Sequence, residues 1–185
     1  MEIVILRHGM PELLLNNPIS ASNFIDWVSS YNASGLSALS YPTESALIYA
    51  DGCNAIVSSS LQRSIDSAKA LNSEKLVLSD KQFIEVGLPS ANWRFLKLTP
   101  SIWAIVFRIL WLFGYSNNSE PVHEAKQRAS LAVNKLIHLT HEHQKVLFVG
   151  HGIFNRLLIS ELKNRGWSGP KSLGATYWSF GVYAL

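Results

Sequence analysis

Cysteine, charge and long apolar runs are all scarce in this sequence. A single cysteine among 185 residues, Cys53, excludes an intrachain disulfide and any metal site built from several cysteines. Only 16% of the residues are charged, and the lysines and arginines are scattered singly, so the net charge of +3 carries no basic run. The longest apolar region, residues 101–115, is interrupted by Arg108 and falls short of the ~20 residues of a membrane-spanning helix. We therefore expect no nucleic-acid partner and no transmembrane segment.

A targeting signal is also missing from the start of the chain. A strand pattern begins after Met1 and Glu2, which leaves no room for the basic and apolar segments of a secretory signal, and predicts a cytoplasmic location. The length and the hydrophobic content of 48% are typical of one globular domain, here residues 1–185, and no repeat or linker divides it.

Short apolar runs alternate with helical patterns along the chain. Residues 3–6, 55–58 and 145–150 have the continuous apolar character of buried parallel strands, and each precedes a polar or helical segment. Residues 76–78 and 176–185 indicate two further strands. We expect helices after Ser22 as a cap, after Pro42, over about 61–71, from Pro121 to about 143, and over 153–165. The pattern predicts an α/β fold, a three-layer sandwich whose mostly parallel central sheet is flanked by helices.

Polar residues follow three of the predicted strands where each strand ends. They are Arg7, His8 and Gly9 after the first, residues 58–60 with Arg63 after the second, and Gly150, His151 and Gly152 after the third. Because the carboxyl ends of parallel strands meet at one edge of a sheet, these residues should converge on one pocket. Two arginines and two histidines suit a dianionic phosphoryl group, with no metal or cofactor required.

The same residues carry a resemblance to a known family. Leu6-Arg7-His8-Gly9, Val57-Ser58-Ser59-Ser60-Leu61-Gln62-Arg63 and Gly150-His151-Gly152 look like the motifs of the histidine phosphatase superfamily, the phosphoglycerate-mutase-like proteins. The resemblance implies that His8 is a nucleophile that becomes phosphorylated, that Arg7, Arg63 and His151 bind phosphoryl oxygens, and that Glu85 protonates the leaving oxygen. Gly9, Ser60 and Gly152 would complete the phosphate site.

Several residues depart from the family pattern or leave a role open. Glu12 and Glu44 compete with Glu85 for the role of general acid, and Asn16 or Asn17 could replace the asparagine that many members have near the phosphate. Ser119-Glu120 with Arg128 resembles a family segment, but we interpret these residues as a helix cap and an exposed helix pair.

The resulting function is a metal-independent phosphomonoester phosphatase acting on a small phosphorylated substrate. A phosphoglycerate-type phosphomutase and a non-catalytic binding protein on the same fold are the alternatives. Phosphorylated metabolites, phosphohistidine proteins and lipid-like phosphates all remain open as substrates. The apolar stretch 93–115, expected to be buried on more than one side, is predicted to cover the site or to form a homodimer contact, with contact to a membrane surface as the runner-up.

Overall fold

A five-stranded sheet forms the centre of the protein, and its strand order is β4-β3-β6-β1-β7. The computed structural model describes residues 1–12 and 16–185. The strands of this sheet are β1 (Glu2–Arg7), β3 (Ala55–Ser59), β4 (Leu76–Asp80), β6 (Lys145–Gly150) and β7 (Phe180–Ala184), and β2 (Ile19–Ser20) pairs with β5 (Lys97–Leu98) in a separate ribbon. Strands β4, β3, β6 and β1 are parallel, whereas β7 runs antiparallel to β1 at the edge. The predicted α/β fold with a mostly parallel sheet is confirmed.

Helices cover both faces of this sheet. They are α1 (Ala21–Ala33), α2 (Glu44–Asp51), α3 (Gln62–Asn72), α4 (Pro100–Leu112), α5 (Val122–His143) and α6 (Gly152–Asn164), with a short 3-10 turn at Lys81–Phe83. Successive side chains of a strand point to opposite faces. Ile3 and Ile5 therefore pack into a core with α5 and α6, and Val4 and Leu6 into a core with α2 and α3. The sheet and the helices on its two faces therefore form three layers.

The helix starts agree only in part with the predicted caps. Thr43 caps α2, where its side chain accepts a hydrogen bond from the backbone N–H of Ala46. The predicted cap Ser22 is wrong, because Ser20 accepts the N–H of Asn23 at the start of α1 and Ser22 bonds to the Ser20 hydroxyl instead. Ser20 is thus both the last residue of strand β2 and the cap of α1. The periodicity of the helix alone does not reveal that the strand runs directly into it.

Helix α4 contradicts the expectation that the apolar stretch is buried on more than one side. Its inner stripe, Trp103, Phe107 and Trp111, is fully buried, and the first two pack with Phe24 of α1 in a third, smaller core. Its outer stripe stays between 45% and 65% exposed at Ile102, Ile105, Ile109 and Leu112. The reason is the position of α4, which packs on α1, so among residues 1–12 and 16–185 its inner side has the packing neighbours. No helix in the described part of the chain is both long and apolar enough to cross a membrane.

Candidate active site

Three adjacent parallel strands bring the predicted site residues together. In the sheet β6 lies between β3 and β1, and the last residues of β1 and β6, Arg7 and Gly150, are in register. His8 and His151 follow directly, and their rings meet edge to face with centroids 5.0 Å apart. Residues separated by more than 140 positions in sequence therefore share one pocket floor, as the strand-end argument predicts.

The imidazole of His8 is buried, neutral and held in one orientation. Its Nδ1 lies 2.6 Å from the carbonyl oxygen of Gly9. A carbonyl can only accept, so Nδ1 carries the proton and Nε2 keeps its lone pair. Burial, followed by the charge of Arg63, lowers the pKa of His8 to about 3. The ring is thus neutral at neutral pH, and its Nε2 carries no proton.

Gly9 is required by packing beside His8. A Cβ at this position would lie 2.4 Å from Cζ2 of Trp178 and 2.5 Å from Cδ1 of Leu36, so no larger residue fits without displacing them. The Gly9 N–H donates to the Ser67 hydroxyl at 2.9 Å. Its contribution to the site is therefore to place His8, and its N–H already has a partner.

Arg63 points from the first turn of α3 toward His8. Its Nε donates to His8 Nε2 at 3.3 Å, and its two Nη atoms donate to the Tyr31 carbonyl and the Asn32 side chain at the end of α1. The guanidinium also lies 4.6 Å above the Tyr31 ring. Neither Tyr31 nor Asn32 was predicted to belong to the site, because nothing in the sequence shows that the end of α1 lies beside Arg63.

Arg7 approaches the same floor from the end of β1. Its guanidinium lies 4.7 Å from the ring centre of Tyr177 and donates to the Ala175 carbonyl. Its Nε is buried and has no hydrogen-bond partner among residues 1–12 and 16–185. Tyr177, which sequence reasoning missed, also lies 5.9 Å from the His8 ring. Arg7 therefore retains a buried N–H that an anion can use.

His151 is the second neutral imidazole of the site and lies beside His8. Its Nε2 lies 2.8 Å from the Ser59 hydroxyl and 3.3 Å from that of Ser64. Its Nδ1 is buried and has no partner within the described part of the chain. Burial, and next the proximity of His8, lowers the pKa of His151 well below its usual value. The hydroxyl that reaches His151 belongs to Ser59, while Ser60 donates its backbone N–H to the Asp80 carbonyl, and the phosphate contact of the Ser60 hydroxyl stays a prediction.

Glu85 lies at the amino terminus of α6, next to His151. Its Oε1 accepts the N–H groups of Phe154 at 2.8 Å and of its neighbour Val86 at 2.9 Å, and its Oε2 accepts that of Ile153 at 3.1 Å. A Cβ at Gly152 would be 3.9 Å from both this carboxylate and the Arg7 guanidinium. Glu85 and Arg7 thus approach each other across the start of α6, where Gly152 leaves the space open.

Two arginines hold the loop that carries Glu85. Arg128 of α5 donates to the carbonyls of Gln82 and Ile84, both at 2.9 Å, while Arg108 of α4 donates to that of Val86 at 2.9 Å. Arg128 also pairs with Glu120. The prediction of an exposed helix pair is wrong, since Glu120 precedes α5 and the two side chains are only 22% and 18% exposed. Nor does Ser119 cap α5, which begins after Pro121 without a side-chain cap.

A cavity of about 800 Å³ opens above this floor. Arg7, Arg63, Glu85 and Tyr177 line one end of it, and α1, α4 and the loop 84–88 supply most of the remaining wall. Glu85 is the one carboxylate among the described residues that line the cavity, which Glu12 and Glu44 do not reach. Asn16 lines it as well, whereas Asn17 does not. The part of the chain that the structure describes holds no cluster of three or more metal-binding side chains.

The fold is an α/β fold whose strand ends bring two arginines and two histidines together. The family model of the histidine phosphatase superfamily, branch 1, matches residues 47–183. This chain therefore belongs to the histidine phosphatase superfamily, and the class of enzyme that the family defines is a phosphoric monoester hydrolase.

Solved structures share the fold at low sequence identity. A mycobacterial glucosyl-3-phosphoglycerate phosphatase is 21% identical with a TM-score of 0.64, over 98% of this chain and 88% of its own. A phosphoserine phosphatase from Entamoeba histolytica is 16% identical with a TM-score of 0.58, over 88% of this chain and 80% of its own. A putative α-ribazole-5'-P phosphatase from Escherichia coli is 18% identical with a TM-score of 0.56, over 88% and 79%. No curated protein sequence matches the chain.

Proposed function

We propose that this chain is a metal-independent phosphomonoester phosphatase that forms a phosphohistidine intermediate on His8. The observation that carries the proposal is the orientation of His8, whose protonated Nδ1 is bound to Gly9 so that the unprotonated Nε2 faces Arg63. Nε2 attacks the phosphorus atom, the bond between phosphorus and the ester oxygen breaks, and the leaving oxygen takes a proton. Water then attacks the phosphorus of phosphohistidine and releases inorganic phosphate.

The two arginines supply the positive charge that the transferring group needs, and the neutral His151 can add a hydrogen-bond donor. Arg63 Nε–H, which bonds to the free nucleophile, can pass to a phosphoryl oxygen when substrate binds, and this frees the Nε2 lone pair. Two further buried nitrogens, Arg7 Nε and His151 Nδ1, have no hydrogen-bond partner among the described residues. Both can form hydrogen bonds with phosphoryl oxygens. Donors fixed in place before the reaction stabilise the charge that spreads over these oxygens in the transition state.

Glu85 is the proposed proton donor to the leaving oxygen. It is the carboxyl group on the described wall of the cavity, and its Oε2 has a single N–H partner, which leaves that oxygen with room for a proton. The loop bonds from Arg108 and Arg128 keep the side chain in position. An alkoxide is a poor leaving group without a proton, so this step matters most for alkyl esters.

An open cavity favours hydrolysis of the phosphohistidine over transfer of its phosphoryl group to a second oxygen of the substrate. Ile105 and Ile109 line the cavity and are also exposed to solvent, so water has a path to the phosphohistidine. A mutase needs to keep its intermediate from water until re-phosphorylation. The glucosyl-3-phosphoglycerate phosphatase and the phosphoserine phosphatase that share the fold support this choice. A cytoplasmic location and a homodimer both stay predictions.

The test is hydrolysis of nitrophenyl phosphate in excess EDTA, combined with rapid acid-free quenching of the parent protein and of H8A. We expect turnover in EDTA and a trapped, acid-labile phosphoenzyme in the parent, and loss of both in H8A. Asn17→Ala, which changes an exposed residue outside the cavity, is the matched control and should keep the parent rate. Activity that requires an added divalent ion, or a labelled intermediate that survives in H8A, would overturn the proposal.

A further inference from the structure

The cavity is far larger than a phosphoryl group needs, and its two ends differ in chemistry. Arg7, Arg63 and Glu85 line one end, and His8 lies directly behind it, bonded to Arg63. Away from that end, the wall is built from apolar side chains, among them Trp27 and Val28 of α1, Ile105 and Ile109 of α4, and Leu88. A volume of about 800 Å³ is that of a site that encloses most of a substantial organic ligand. A substrate that fills this cavity has a bulky group beyond its phosphate.

Two polar side chains on the distant wall, Ser101 and Arg108, are already bonded to the protein. The Ser101 hydroxyl donates to the Asn16 side chain at 3.2 Å, and Arg108 donates to the Val86 carbonyl while it lies 5.0 Å from the centre of the Trp111 ring. A site that recognises hydroxyl groups on a sugar keeps polar groups unpaired until the substrate arrives. The bonds of Ser101 and Arg108 to the protein, together with the many apolar side chains, make this wall better suited to apolar contact than to the recognition of hydroxyl groups.

The apolar wall also continues from the cavity onto the outer surface. Ile105 and Ile109 line the cavity yet are 60% and 50% exposed, and Ile102, Leu112 and Phe113 extend the same face of α4 outward. Exposed apolar surface of this extent on a soluble protein marks a binding site. Its continuity with the cavity indicates that one ligand covers both.

We infer that the substrate is a phosphomonoester with a long apolar chain, such as an alkyl or isoprenoid phosphate, whose chain lies between α1 and α4. This rests on the proposed phosphatase activity and specifies its substrate. The phosphoryl group binds over His8, and the chain leaves along Ile105 and Ile109. Hydrolysis yields the free alcohol and inorganic phosphate, with water as the second reactant.

A homologous series of n-alkyl phosphates from ethyl to decyl, each kept below its micelle concentration, tests the inference. Burial of each methylene should raise kcat/KM about two- to fourfold until the chain outgrows the wall. Two matched pairs separate apolar from polar recognition: propyl against glycerol phosphate, and hexyl against glucose 6-phosphate. We expect the apolar ester to be preferred at least about tenfold in the second pair.

Variants on α4 test the position of the chain. I105S combined with I109S should reduce the decyl-to-ethyl ratio of kcat/KM about tenfold, and I48S combined with L131S, which changes two exposed apolar residues on α2 and α5, should leave that ratio unchanged. Decyl phosphate dissolved as monomer and in phosphatidylcholine vesicles distinguishes a free ester from a membrane-held one, and turnover in either form supports the inference.

The outcomes separate the two proposals. If nitrophenyl and ethyl phosphate are hydrolysed but kcat/KM does not rise with chain length, the phosphatase stands and the apolar substrate is overturned. If no ester of any kind is hydrolysed, the phosphatase proposal itself fails. A flat series together with a dimer in sedimentation, lost in the α4 variant, would assign the exposed face to a second copy of this chain and overturn the inference.

Discussion

Replacing Glu85 by glutamine separates proton donation from its structural contacts. The amide keeps a carbonyl oxygen for the N–H groups of Phe154 and Val86 but loses the acceptor for Ile153. Leaving one N–H without a partner costs roughly 1–3 kcal/mol of stability. For a chain of this length each 1 kcal/mol lowers Tm by about 2–4 °C, so rates should be compared well below the transition.

The catalytic effect of E85Q should depend on the leaving group. Nitrophenolate departs without a proton, whereas an alkoxide requires one as the bond to phosphorus breaks. We expect kcat/KM to fall about 10²–10⁴-fold on butyl phosphate and much less on nitrophenyl phosphate. The parameter kcat/KM is the correct measure, because it covers the steps from free enzyme through phosphorylation of His8 and omits the hydrolysis of phosphohistidine that both substrates share.

A matched variant is the control for a purely structural effect in this assay. E120Q removes a second half-buried carboxylate, which holds Arg128 outside the cavity, so any loss should be equal on the two esters. Equal losses in E85Q would assign Glu85 to the support of α6 alone. The proton donor would be reassigned if E85Q spared both rates and E12Q or E44Q gave the differential pattern.

The remaining predictions concern stability. Because folding lowers the pKa of His8 from 6.5 to about 3, the unfolded chain binds more protons below pH 6.5, and stability is lost as the pH falls toward 3. Between pH 7 and pH 5 this loss is up to roughly 2 kcal/mol for His8, with His151 acting in the same direction, and denaturant titration should find a smaller loss in H8Q. An unchanged pH dependence in H8Q would refute the buried neutral ring. G9A should lose about 1–3 kcal/mol by forcing its Cβ against Trp178, and an unaltered Tm would contradict that packing. R128M should lower stability by about 1–3 kcal/mol and reduce kcat/KM more on alkyl than on aryl esters, since it frees the loop that positions Glu85; an equal loss on both esters would contradict a role of Arg128 in positioning Glu85.

The sequence alone determined the α/β fold and the floor of the site. Continuous apolar runs predict buried parallel strands, and their carboxyl ends must meet at one edge of the sheet, so Arg7, His8 and His151 could be grouped without coordinates. The order of the motifs then indicated the family. These features are local in sequence or follow from sheet topology.

Tertiary structure alone decided the partners of those residues and the shape of the cavity. Tyr31 and Tyr177 reach the two arginines because of the packing of α1 and of the last loop. Ser59 reaches His151 because β3 and β6 are neighbours in the sheet. The exposed face of α4 is the clearest case. Its apolar composition predicts burial, but the number of neighbours that a helix has depends on where the other elements pack, and here one side was left open beside the active site.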